Sequence, residues 1–125
     1  LSEVPGLRVP VPDEGAGHAY YKFYAYVEPE KLKGGWNRDR IMQAVAEKGV
    51  PCMQGICPEV YLEEAFSSSS QWSVVGGQKT EVGRLPVAKE LGETSLMFLV
   101  HPGLGKAEME ETIRAVREVL SSLSD

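Results

Sequence analysis

The residues of this chain best suited to chemistry are gathered in one aromatic run, His18-Ala-Tyr-Tyr-Lys-Phe-Tyr-Ala-Tyr-Val27. A lysine becomes a nucleophile near neutral pH only when it is desolvated or set beside another cation. Of the seven lysines, Lys22 alone has an aromatic neighbourhood. The plainer reading is a strand lysine whose stem passes between tyrosines while its ammonium stays in water. Cys52 and Cys57 are separated by four residues, a spacing that fits neither a redox CxxC nor a common zinc site. With only His18 and His101 to complete a set, two free thiols are the better reading. Gly103-Leu-Gly-Lys106 lacks the first glycine and the Ser/Thr of a phosphate loop, so it reads as a turn before a helix. Glu63–Glu64 and Glu110–Glu111 are adjacent on helical stretches and splay apart, which suits solvated faces rather than an acid/base pair. The chain taken alone has no self-sufficient active site.

The elements that must position these groups follow from pattern. Val4–Pro12 is extended, because each X-Pro drives its predecessor toward β or polyproline geometry. His18–Val27 reads as a strand, with Ala19, Tyr21, Phe23, Ala25 and Val27 on its apolar face. His18, Tyr20, Lys22, Tyr24 and Tyr26 carry polar tips on the other. Asn37 caps a helix over Arg38–Lys48, with Asp39 in its first turn and Gly49 at its stop. Its apolar side is Ile41, Met42 and Val45. A strand at Val50–Met53, a turn at Gly55–Pro58 and a short helix at Glu59–Phe66 follow. Residues 67–84, with a serine run and Gly76–Gly77, read as a flexible loop, although Trp72, Val74 and Val75 suggest that a partner orders it.

Leu85–Gly92 reads as a helix that runs into a strand, Ser95–Val100. That strand has no polar alternation and so is buried on both faces. Pro102 and Gly103 end it. In the last helix Met109, Ile113, Val116, Leu120 and Leu123 fall on one face, and Glu108, Glu110 and Glu111 suit the positive end of its dipole. The order is β-α-β-α-loop-α-β-α, an α+β domain with helices packed on a small sheet.

Composition bounds the function. The chain has 125 residues, 42% hydrophobic and 25% charged, and a net charge of −5. That is about one domain's worth of core. The basic residues are scattered, which argues against a nucleic-acid footprint. The apolar run Leu96–Val100 is far too short to span a membrane, and no leader pattern opens the chain. A cytoplasmic protein is expected. A start at Leu1 rather than Met, with prolines at 5, 10 and 12, reads as a piece of something longer.

Order and spacing together resemble the C-terminal small domain of the DegT/DnrJ/StrS family of fold-type I aminotransferases. The likeness runs from about Val4 to Leu120, leaving out much of the 67–84 loop. It rests on the His-aromatic strand at His18–Val27 and on Arg38, Asp39, Gly49 and Val50. A segment with Leu85, Pro86, Ala88, Leu91, Ser95, Leu96, Leu99, His101, Pro102 and Leu104 follows, and the amphipathic C-terminal helix completes it.

The resemblance implies transfer of an amino group, usually from glutamate, to a keto group of a nucleotide-linked sugar. Pyridoxal phosphate (PLP) would be held on a lysine of a large N-terminal domain, within a homodimer that builds each active site from both subunits. On this reading residues 1–17 lead in from that missing domain, 18–125 form the small domain, and the fragment is inactive and binds no cofactor. It supplies no catalytic residue and no metal ligand. His18, Tyr20, Tyr21, Lys22 and Cys52 are its candidates for proximity to substrate.

Two positions depart from the family pattern. Many members have histidine where Tyr21 stands, and a His-Tyr pair where Gly55-Ile56 stand, although Pro58 is kept. The sugar pocket is therefore expected to differ. The pleat puts Tyr21 on the apolar face, whereas the resemblance points that position toward substrate. The alternative reading is an independent α+β module that binds a small molecule or regulates a partner. A purely structural dimerisation domain lacks any seam of apolar heptads.

Overall fold

Asn37 does what its position in the sequence requires. In the computed structural model its side chain accepts a 3.0 Å hydrogen bond from the Arg40 backbone N–H, opening helix α1 at Arg38–Glu47. Gly49, at φ +84°, ends the helix in a conformation that a Cβ would oppose. The structure describes residues 1–55, 58–63, 74–75, 78–79 and 85–123. These fall into two compact units, Leu1–Gly55 with Thr94–Asp125, and Ile56–Glu93.

The first unit is built on a four-stranded sheet of β1 (Leu7–Arg8), β2 (Lys22–Val27), β3 (Cys52–Gln54) and β6 (Ser95–Leu99). The strand order is β1-β2-β6-β3 and every pairing is antiparallel. Residues directly opposite each other share a face. The register pairs Leu7 with Val27, Ala25 with Leu96, and Cys52 with Phe98, so these form one apolar face. Helix α1 and the C-terminal helix α3 (Lys106–Ser121) supply Ile41, Val45, Ala115, Val116, Val119 and Leu120 to the same core. Ile41, Leu96 and Leu120 are wholly buried, and each such side chain contributes about 1.5–3 kcal/mol by leaving water. Lys48 and Glu118 join the two helices at the surface by a 2.7 Å ion pair.

The second unit contains a 3-10 turn at Val60–Leu62, a two-stranded hairpin of β4 (Val74–Val75) and β5 (Gln78–Lys79), and helix α2 (Pro86–Thr94), whose last residue passes into the first unit. Proline suits the first position of α2, where its missing N–H costs nothing. Within this unit the Tyr61 hydroxyl accepts a 2.9 Å bond from the Leu85 N–H. The α+β fold expected from the sequence is thus the fold observed.

Several boundaries differ. The expected strand from His18 begins only at Lys22, because Tyr20 sits at φ +45° and breaks the alternation. The strand expected at Val50–Met53 is Cys52–Gln54, since Pro51 has no N–H for a ladder. The helix expected at Glu59–Phe66 is the turn Val60–Leu62 among the described residues, with 64–66 outside them. β6 stops at Leu99, one residue short of Val100. The 67–84 stretch carries the β4–β5 hairpin, and Trp72 lies outside the described residues. Val4 and Leu7 are buried in the core, and Leu7–Arg8 is an edge strand.

Candidate functional site

The aromatic run divides at Tyr20. Its backbone N–H donates 2.9 Å to His18 Nδ1, and the two rings lie 4.3 Å apart. Tyr20 then stacks on Phe23 at 5.9 Å, and Phe23 meets Phe98 at 6.4 Å. His18, Tyr20 and Phe23 thus form a ladder descending from an exposed histidine toward the core. Tyr21 goes elsewhere. It is 84% exposed, and the Lys22 ammonium lies 5.6 Å from its ring centre. The expectation that Tyr21 sits on the apolar strand face is therefore corrected: it precedes the strand, and the left-handed turn at Tyr20 removes it from the pleat. Ala25 and Val27 do face the core as expected.

Cys52, the remaining candidate, is a core residue opposite Phe98 and only 8% exposed. Burial pushes its thiol up to about 11, against a smaller opposing pull from the Arg38 guanidinium. It is a free thiol packed in the core.

The opposite sheet face carries Tyr24, Met97 and Met53 in one row and Tyr26 and Ser95 in the next. Met97 and Ser95 are buried. Arg38, at the start of α1, reaches the Ser95 carbonyl at 3.1 Å. The Tyr24 hydroxyl is buried with no hydrogen-bond partner among the described residues. Pattern reasoning could place these polar tips on one face, but not the guanidinium that α1 delivers to it.

The other notable feature is a groove of about 490 Å³ in the first unit. Its walls come from Val9–Val11, Tyr20, Phe23, the end of β6 and the first turns of α3. Met109 and Ile113, assigned by periodicity to the core face of α3, line this groove instead, and Met109 is 52% exposed. The core face is rotated onto Ala115, Val116, Val119 and Leu120.

No lysine lines the groove, and Lys31, Lys48, Lys89 and Lys106 each stand within ion-pair distance of a surface carboxylate. No group of three or more potential metal ligands is present among the described residues. No helix among them is long and apolar enough to cross a membrane.

No protein-family model and no curated protein sequence matches the chain. Solved structures do. An aminotransferase from Psychrobacter cryohalolentis is 44% identical over 95% of this chain, with a TM-score of 0.81. The aminotransferase TlmJ from Streptoalloteichus hindustanus is 26% identical over 98%, with a TM-score of 0.71. A DegT DnrJ EryC1 StrS aminotransferase from Brucella abortus, at 20% identity over 92% and a TM-score of 0.68, shares the fold. The chain spans 29%, 28% and 26% of those three chains respectively. The small sheet with α1 and α3 on its apolar face is thus the fold of an aminotransferase segment, and the likeness to the DegT/DnrJ/StrS family drawn from the residues is borne out.

Proposed function

We propose that this chain is the C-terminal small domain of a PLP-dependent aminotransferase that moves an amino group, with glutamate as donor, onto a keto group of a nucleotide-linked sugar. The observation that carries the reading is 44% identity with an aminotransferase across nearly the whole chain. The cofactor lysine and the phosphate ligands would then belong to a larger N-terminal domain, and a homodimer would complete each site. In that assembly His18, Tyr20, Tyr21 and Lys22 are the residues offered to the sugar. The exposed Tyr21 ring and the His18 imidazole supply hydrogen-bonding tips at the start of β2. Cys52 contributes packing only, because its sulfur lies in the core. The whole enzyme would work in the cytoplasm.

The test is made on the gene-encoded polypeptide that carries this chain. Purified with PLP, it is expected to transfer the amino group of glutamate to a nucleotide-linked keto sugar. Absence of transfer with any such acceptor overturns the reading. The 125-residue chain alone is expected to be inactive, and borohydride reduction after PLP addition should label no unique lysine. Stoichiometric labelling of Lys22 would favour an independent binding module instead.

A further inference from the structure

The chain has two histidines, and both make the same contact. His18 Nδ1 accepts from the Tyr20 N–H and His101 Nδ1 from the Gly103 N–H, each at 2.9 Å and each two residues on. The two turns stand at matched positions in the sheet. Lys22 and Leu99 are the last partners of β2 and β6 at this end, so Tyr21 and Val100 would pair next, then Tyr20 and His101. Each histidine thus locks the chain where its strand would otherwise go on pairing.

The lock on β2 works against local preference. Tyr20, at φ +45°, is the one non-glycine residue in the left-handed region among the described residues. A bulky side chain disfavours that region. The bond to His18 and the ring contact at 4.3 Å hold the turn. As a result Tyr21 stands 84% exposed, whereas unbroken alternation would put it on the face of Phe23.

An Nδ1 that accepts a hydrogen bond carries no proton. In imidazolium both ring nitrogens are donors, so no rotation of the ring restores either bond. Histidine is also the side chain whose charge ordinarily changes between about pH 5 and 8. Of the other titratable groups, Glu108 and Leu1 share the groove wall with Tyr20 and His101, and the Lys22 ammonium lies at the Tyr21 ring. The Glu108 carboxylate is held by the Gly105 N–H.

We propose that His18 and His101 form a proton-sensitive clasp. Neutral, they stop β2 and β6 from pairing beyond Lys22–Leu99 and keep Tyr21 in water; protonated, they release both turns and the strands extend to Tyr21–Val100. The clasp is closed at alkaline pH and is lost as the pH falls. Resting on the function proposed above, acid withdraws Tyr21 from the sugar.

The experiment places trifluoromethylphenylalanine at position 21 of the gene-encoded polypeptide. Fluorine NMR then reads its solvent isotope shift between light and heavy water. That shift should fall by about half or more as the pH drops from about 8 to about 5. With His18→Asn and His101→Asn together, whose side-chain oxygens accept the same N–H at any pH, it should keep its alkaline value. With His18→Leu, which has no acceptor, the low value should be present already at alkaline pH. Circular dichroism verifies that each variant is folded. A shift that ignores pH in the protein carrying only the probe, or a transition that survives in the double variant, overturns the clasp. With Tyr21 intact, the KM for the sugar acceptor should rise over the same interval, and less so in the double variant. An equal rise in both severs the clasp from the sugar. The fluorine signal needs no turnover, so absence of amino transfer defeats the functional reading while the clasp is judged by the signal.

Discussion

Gly55 and Ser95 meet where β3 runs out beside β6: a Cβ built on Gly55 would collide with the Ser95 hydroxyl oxygen and stand 2.9 Å from its Cβ. The Gly55 N–H also donates to the Ser95 carbonyl at 3.4 Å, so backbone and side chain are both held close. Here the neighbouring strand has filled the space, and the Tyr24 ring stands 3.5 Å from the same point.

Gly55→Ala should therefore destabilise the protein by about 1–3 kcal/mol, the usual cost of forcing atoms into a filled site. Ser95→Gly in the same chain should recover part of that loss. Urea unfolding of the two single variants and the double variant measures it. An additive double variant would show that the two positions do not collide.

Tyr24→Phe removes a buried hydroxyl that has no partner among the described residues. Since an unsatisfied buried donor already bears its desolvation penalty, the change is expected to be neutral or stabilising, within about 1 kcal/mol. Thermal unfolding tests this. A clear fall in Tm would mean that the hydroxyl is satisfied in solution.

Cys52 gives a pH dependence of fixed sign. Its folded thiol is pushed from 9.0 up to about 11, so the folded state holds the proton more tightly than the unfolded chain. The resulting stabilisation, on the order of 2 kcal/mol, is present below pH 9 and is lost as pH rises through about 11. The stability gap between the protein and Cys52→Ala should narrow over that window. In a Cys57→Ser background, iodoacetamide should alkylate Cys52 slowly at pH 8. Arg38→Met should slow it further by removing the charge that opposes the shift, provided the fold stays closed. The same substitution deletes the bond to the Ser95 carbonyl and should cost about 1–3 kcal/mol.

Met109 and Leu120 fall on one stripe in the sequence but not in energy. Leu120→Ala should cost about 2–5 kcal/mol, because Leu120 is wholly buried. Met109→Glu should leave the stability of the 125-residue chain within about 0.5 kcal/mol, since Met109 is half exposed. Chemical denaturation of both variants checks the contrast. Equal losses would place Met109 in the core.

The three helices and strands β2, β3 and β6 were legible because local rules act over a few residues. Asn37 and Gly49 bracket α1, Pro86 opens α2, and an unbroken apolar Leu96–Phe98 can only be a strand covered on both faces. The likeness to aminotransferases was legible too, since it rests on the order and spacing of such residues.

Position on a face was less secure, because periodicity counts residues and cannot see a break in the backbone. The left-handed Tyr20 lifts Tyr21 out of the pleat, and the packing of α3 on α1 turns Met109 toward a groove. Arg38 reaching Ser95, 57 residues away, and Gly55 pressed against that same serine are contacts between segments remote in sequence. They exist only once the sheet order β1-β2-β6-β3 has set β3 and β6 side by side. Local propensity chose the strands and helices of this chain; burial of one shared apolar face decided which side chains were left for chemistry.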